Sequence, residues 1–323
     1  MAANIHEMTA VRPVLPGVYE SLCNPMRMGN ANNIAYGGCT LGIAASTAHQ
    51  DLPEGYFLYS MAGNYLGPAL TDRKYICSAE EVRKTRTFIT KLVRIQQKLD
   101  DGQSRMCLIA LADFQRREPA SLLMYSRPPS MVYAGVDDQP SYEASVKNLL
   151  QSGAISQEML DRNHRTFGMM RAFFEIRPCQ EGTGAQRLIG QAKHIRSTQD
   201  HLPLTSRTSA DWLRCPQAQG VPATAASALA FILDGSLSFA PLTLSGGMFL
   251  EDVGACSTLD FAMRIFTNDL RIEEWHLREI KTMAGGAGRS YSEAQVWDST
   301  GNMIASMTQA SILRPKAPAK AKI

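Results

Sequence analysis

The rhythm of apolar and polar positions changes several times along the chain. Residues Tyr36 to His49 (YGGCTLGIAASTAH) follow two glycines and are small or apolar on nearly every side, which predicts a helix covered all round by protein. Strand-length segments follow at Tyr56 to Tyr65, Lys74 to Val82 and Thr87 to Gln96. After the turn signal Asp100-Asp101-Gly102, Met106 to Gln115 reads as another strand. One helix followed by a run of antiparallel strands is an α+β unit.

From Arg116 to about Arg165 the texture is that of an inter-domain connection. REPASLLMYSRPPS is proline-rich, DDQPS is polar, and only SYEASVKNLLQSGAISQEMLDR has helical spacing. The first pattern then returns. Strands are expected at Ala172 to Ile176 and around Trp212, a small-residue helix at Ala223 to Gly235, and strands at Thr258 to Phe266, Trp275 to Met283, Arg289 to Trp297 and Met303 to Leu313. The last two flank Asp298-Ser299-Thr300-Gly301-Asn302, a turn echoing Asp100-Asp101-Gly102, and the strands after the two turns contain Gln115 and Gln309. The chain thus reads as a distant duplication, with units at residues 1–118 and 166–315, a connection at 119–165 and a flexible basic tail at 316–323. In each half a curved antiparallel sheet should wrap around one central helix, and two such halves can pair into one continuous sheet.

Charge narrows the partners. The 33 basic and 30 acidic residues give +3, but Arg314, Lys316, Lys320 and Lys322 lie in the last ten residues, and setting them aside leaves the body at −1. Such a body lacks the concentrated positive charge that nucleic acid or an anionic membrane needs. The longest apolar run, Ala223 to Leu233, is about a dozen residues against the roughly 18 that span a bilayer, so a soluble protein is expected. The N-terminus has no secretory apolar stretch, so the seven scattered cysteines are expected to be reduced, and no spacing suggests a metal site or cofactor.

No G-x-S-x-G, G-x-x-x-x-G-K-[ST] or H-E-x-x-H occurs, and Gly182 to Arg187 reads as a loop. The local oddity is Asp234, which ends the apolar run Ala225 to Leu233 and is the sole ionisable residue between Pro222 and Glu251. A carboxylate buried there would have its pKa raised toward a value useful to a general base; alternatively Asp234 marks the helix end beside Gly235 and points to water.

The segments LAFILDGSLSFAPL, STLDFAMRIF, EEWHLREIKTMAGGAGRS and NMIASMTQASILRP resemble, in order and spacing, the C-terminal half of type II acyl-CoA thioesterases. AYGGCTLGIAAS, YSMAGNYLGP and ALADFQ are similar to the first half of that family, and FEIRP to the start of its second unit. The resemblance implies a tandem (double) hotdog fold, two curved antiparallel sheets each wrapped around a central helix. It implies a site in which Asp234, Thr258 (ahead of Leu259-Asp260) and Gln309 hold the attacking water, with acyl-CoA as substrate and no cofactor. Each residue type suits the task. A carboxylate accepts a proton, a hydroxyl donates and accepts, and a glutamine amide orients water without adding charge. The developing oxyanion needs a donor as well, for which a backbone N–H at a glycine-led helix start or a neighbouring side-chain amide is a candidate.

Taken singly, Thr258 also reads as an ordinary strand residue and Gln309 as an edge glutamine. Phe261 stands where the family often has histidine, Ile265 to Asn268 replace its aromatic-His-Arg-Pro stretch, and Gln309-Ala310-Ser311 replaces Q-E-G, all pointing to a specialised acyl group. Arg83, Lys84, Arg86, Lys91, Arg94 and Arg289 are candidates for the coenzyme phosphates or plain surface charges. Phe231, Met263, Phe266 and Met307 are candidates for an acyl channel or plain core. A hydratase, dehydratase or acyltransferase on the same fold, or an acyl-CoA-binding protein without turnover, are the alternatives, and self-association is left open. The end Ala321-Lys322-Ile323 resembles a peroxisomal import tripeptide, so a peroxisomal or cytoplasmic location is expected.

Overall fold

A computed structural model describes residues 2, 4–29 and 33–316. Nearly all of the expected basic tail, including the terminal tripeptide at 321–323, lies outside the described residues. The first half comprises α1 (Ile5–Thr9), β1 (Val11–Leu15), β2 (Val18–Ser21), α2 (Gly37–Ala48), β3 (Tyr56–Tyr65), β4 (Ile76–Lys84), β5 (Phe88–Lys98) and β6 (Ser104–Arg116). Two helices follow, α3 (Tyr142–Gln151) and α4 (Gln157–Phe173). The second half comprises β7 (Glu175–Pro178), α5 (Thr183–Gln186), β8 (Ser209–Arg214), α6 (Pro222–Leu233), α7 (Ala240–Ser245), β9 (Val253–Ile265), β10 (His276–Gly286), β11 (Arg289–Trp297) and β12 (Met303–Pro315).

The strands form one twelve-stranded antiparallel sheet in the order β1-β2-β4-β5-β6-β3-β9-β12-β11-β10-β8-β7. Read outward from the β3–β9 junction, both halves run through their last, second-last, third-last and then first two strands in the same sequence, so the repeat of elements is also a repeat of topology. The junction pairs Ser60 to Asn64 with Arg264 to Asp260. Alternation of buried and half-buried residues along β5 and β12 turns one face of the sheet toward α2 and α6 and the other toward solvent.

The two central helices are buried on almost all sides and pack against each other. They run antiparallel: a Cβ on Gly38 would meet the Phe231 carbonyl at 2.4 Å, and one on Gly42 would meet the Ser227 carbonyl at 3.2 Å. Only glycine allows backbones this close. The helical run from Pro222 to Ser245, counted through its internal turn, reaches 24 residues and is long and apolar enough to cross a membrane, which the shorter run seen in sequence did not suggest. Its most apolar window is 89% buried inside the fold, as a core helix requires.

Other expectations need correction. The matched glutamines of the repeat are not equivalent in space: Gln309 faces the core, whereas Gln115 faces outward, 3.5 Å from Glu118, and Phe114 takes the inward position. The helical stretch of the connection is two helices, and α4 runs through Phe173, where a strand was expected from Ala172. Gly182 to Arg187 contains the short helix α5. The proline-rich segment is tied down by polar contacts to the second half: Trp297 Nε1 donates to the Arg127 carbonyl at 2.7 Å, and Ser130 and Tyr133 hydroxyls donate to Glu279 at 2.7 Å each.

Gly63 occupies the middle strand of the junction, where a Cβ would lie 2.1 Å from the Ile109 carbonyl and 2.7 Å from Ala110 Cα. Gly63→Ala should therefore destabilise the protein by about 2 kcal/mol, within the range for overpacking, as read from urea unfolding. An unchanged midpoint would show that the junction yields freely.

Candidate functional site

α6 ends at Leu233 and Asp234 is its C-cap, after which Gly235 and left-handed Ser236 (φ 80°) turn the chain away. The residue thus marks the helix end, yet its side chain is only 6% exposed because α2 begins directly opposite. Asp234 Oδ1 accepts from Gln309 Nε2 at 2.7 Å and from the Tyr65 hydroxyl at 3.0 Å. The Thr258 hydroxyl donates to Gln309 Oε1 at 3.1 Å. The three residues singled out in the sequence therefore form one hydrogen-bonded chain, Thr258 to Gln309 to Asp234. Their assignment to catalysis is taken up below.

Local irregularity aims Thr258. Between β9 and β12 the register slips, so that Asp260 faces Ala310 while Thr258 faces Ser311, leaving Leu259 as the extra residue of a β-bulge. Strict alternation from buried Phe261 would turn residue 259 inward; the bulge turns Thr258 inward instead. Ser311, beside it, and Ser290, its neighbour on β11, have buried hydroxyls without a hydrogen-bond partner among the described residues, so a polar row leads away from Thr258.

The first half completes the site, and this the sequence did not disclose. Tyr65 lies at the end of β3 and shares its hydroxyl between Asp234 and the Gly37 carbonyl, at 3.1 Å. A Cβ on Gly37 would come within 2.8 Å of Asp234 Oδ2, so the missing side chain leaves room beside that oxygen. The Tyr36 hydroxyl donates to the Phe231 carbonyl at 2.6 Å and Arg278 Nη1 to the Ile232 carbonyl at 2.8 Å, occupying carbonyls that the end of α6 leaves free. The one available signal for Tyr65 was a polar aromatic closing an otherwise apolar strand.

Burial pushes the Asp234 carboxyl up to about 6, against the opposing pull of hydrogen bonds from Gln309, Tyr65 and the Gly38 N–H. The Tyr65 and Tyr36 phenols are held well above their usual pKa by burial and by Asp234, so both stay protonated donors. Burial likewise pushes the nearby Cys39 thiol up to about 12, which leaves it without nucleophilic thiolate. His49 caps the far end of α2, and burial pushes it down to about 4.

The other sequence candidates sort differently. Phe231, Met263 and Met307 are fully buried core, with Met307 Sδ 3.7 Å from Gln309 Nε2, whereas Phe266 is 58% exposed and lines no interior channel. Lys91 is buried and donates to the Gln50 carbonyl just beyond α2, so it is no pocket-mouth cation. Arg94 pairs with Glu80 at 3.0 Å and Lys84 with Glu81 at 3.7 Å, while Arg83, Arg86 and Arg289 are exposed.

Residues 174–313 match the family model described as the acyl-CoA thioesterase C-terminal domain, and residues 24–115 match its N-terminal domain. No curated protein matches the chain in sequence. Among solved structures it is similar to acyl-CoA thioesterase II TesB2 from Mycobacterium marinum, with 16% identity, a TM-score of 0.63 and 99% of each chain covered. It is also similar to the tesB protein of Mycobacterium avium subspecies paratuberculosis, with 16% identity, a TM-score of 0.64 and coverage of 96% of this chain and 98% of that one. A hotdog-fold protein from Alicyclobacillus acidocaldarius shares 16% identity over 98% of both chains with a TM-score of 0.65, and these likenesses establish the hotdog fold.

A raised carboxyl pKa has a signed consequence for stability. Between the ordinary value near 4 and the folded value of about 6, the folded state holds the proton more tightly than the unfolded one. Stability from this group is therefore full below about 4, falls as pH rises through that window, and stays lower above about 6, by on the order of 3 kcal/mol. Asp234→Asn has no such titration. Its thermal midpoint relative to wild type should climb between pH 4 and 6.5 and then level off; a difference independent of pH would mean that Asp234 titrates normally.

Proposed function

Because the chain belongs to the acyl-CoA thioesterase family, we propose that it is a tandem hotdog enzyme that hydrolyses an acyl-CoA thioester with water held by Asp234, Thr258 and Gln309. The hotdog units are residues 1–118 and 166–315, joined through 119–165. The observation that carries the proposal is the buried Asp234 carboxylate, tied to Gln309 and Tyr65 beneath the N-terminus of the opposite helix. A group titrating near 6 is ionised at neutral pH yet basic enough to take a proton from water, which suits a general base.

Water placed beside Oδ2, in the space that Gly37 leaves, attacks the thioester carbonyl as Asp234 takes its proton. Gln309 and Thr258 fix the carboxylate and the water, the Gly38 N–H holds the Asp234 carboxylate, and the Gly37 N–H at the start of α2 meets the carbonyl oxygen as it becomes an oxyanion. Collapse of the tetrahedral intermediate breaks the C–S bond. The thiolate leaves with little assistance because thiols ionise near pH 8.5, and it takes up the proton that Asp234 holds. The products are the free acid and coenzyme A. The similar structures come from bacteria, which favours a cytoplasmic location over a peroxisomal one.

Free-thiol release from a panel of acyl-CoAs tests the assignment. Asp234→Asn should lower kcat by about 10²-fold or more while remaining folded. Wild-type turnover in that variant, or no release from any panel member by the wild type, would overturn it.

The acid limb of kcat/KM should fall by about tenfold per pH unit below about 6. Tyr65→Phe removes a donor that favours the ionised carboxylate, so that limb should move to higher pH. A limb that stays in place would assign Tyr65 a purely structural part.

A further inference from the structure

A narrow cavity of ≈ 100 Å³ begins one residue beyond Asp234, with Gly235 and Ser236 in its wall. Its other walls include Val146 and Leu149 of α3, Phe167 of α4 and Ile280 of β10. Helix α4 reaches the site side directly, because a Cβ on Gly235 would lie 3.2 Å from Met170 Cε. Two arginines, Asp211 and a few hydroxyl side chains interrupt this mostly apolar lining. Arg278 is neutralised by Asp211, with bonds of 3.1 and 2.7 Å, and its remaining reach goes to the Ile232 carbonyl.

Arg171, in the last turn of α4, has no such partner. Among the described residues its guanidinium makes no hydrogen bond or salt bridge, and it lies 3.9 Å from the centre of the Tyr142 ring. Tyr142, Val146 and Arg171 also line a shallow depression beside the same helices, so these three residues part the cavity from it. A guanidinium packed on an aromatic face presents its N–H fork for planar, bidentate pairing with a carboxylate. The carboxylate of the wall, Asp211, is taken by Arg278, and Glu143, on the adjoining depression, attracts Arg171 without a salt bridge to it. A cavity of ~150 Å³ holds a benzene molecule, so this smaller one admits a chain of about four carbons.

We propose that this cavity receives the acyl group and that Arg171 pairs with a carboxylate at its far end, making short ω-carboxyacyl-CoA thioesters the preferred substrates. The assignment rests on the thioesterase function proposed above, and its test is chosen to fail separately. Calorimetry with non-hydrolysable thioether analogues of succinyl-CoA and butyryl-CoA compares two ligands differing in the terminal carboxylate. The wild type should bind the succinyl analogue about 10-fold or more tightly than the butyryl one. Arg171→Met, which keeps an unbranched apolar stem against Tyr142, should abolish that preference while leaving butyryl affinity within about twofold. Arg171→Lys should retain part of it.

Equal affinities in the wild type, or a preference that survives Arg171→Met, would overturn the assignment. Thiol release measured in parallel separates the two claims. Turnover without preference for the carboxylated chain leaves hydrolysis standing and removes Arg171 from substrate selection. A carboxylate preference in binding that Arg171→Met abolishes, without turnover, supports the role of Arg171 and removes hydrolysis.

Discussion

The antiparallel crossing of α2 and α6 is the constraint on which the rest of the structure depends. Two helices built from glycine, alanine, serine and threonine approach until a Cβ on Gly38 or Gly42 would collide with the opposite backbone. Because they run in opposite directions, the start of one lies against the end of the other. A carboxylate at the C-terminus of its own helix sits in an unfavourable dipole field, and the N-terminus of the neighbouring helix reverses that field. The charge on Asp234 is therefore supported by the first half of the chain although the residue belongs to the second.

The same crossing explains the desolvation. Once the ends of α2 and α6 meet, the carboxylate has Gln309 and Thr258 on one side, Tyr65 on another and Gly37 opposite, with hardly any exposure left. Burial raises its pKa and the hydrogen bonds restrain the rise, so the value settles near 6 instead of climbing further. The two halves do not repeat this chemistry. At the corresponding end of α2 stands His49, packed edge-on against Phe114, so the polar pair Asp234 and Gln309 is replaced by an imidazole and a phenyl ring. Duplication kept the topology and left the carboxylate, amide and hydroxyl in one half.

Much of this was legible in the residues, and the failures have physical causes. The limits of Tyr56–Tyr65 and Arg289–Trp297 match the sequence pattern, and along the second strand buried and more exposed residues alternate clearly. β1 and β2 at the edge of the sheet are short and half exposed, and carry little periodicity to read. Asp234 stood out because an ionisable residue closes an apolar run, and Gln309 and Thr258 were found by resemblance to a family. Tyr65 and Gly37 could not be placed, because their contacts to Asp234 span 169 residues or more of chain and depend on how the helices cross. The bulge at Leu259 inverts which neighbour faces inward, and the glutamine match of the repeat failed for the same kind of reason: a one-residue difference in register decides which face a side chain takes.

The central claim is that Asp234 activates water and does not itself attack the thioester. A single turnover with excess enzyme in H₂¹⁸O, followed by mass spectrometry of the released acid and of the peptide carrying Asp234, tests it most directly. The account predicts one labelled oxygen in the acid and none in the peptide. Label incorporated into Asp234, with unlabelled acid released, would identify the carboxylate as a nucleophile and contradict it.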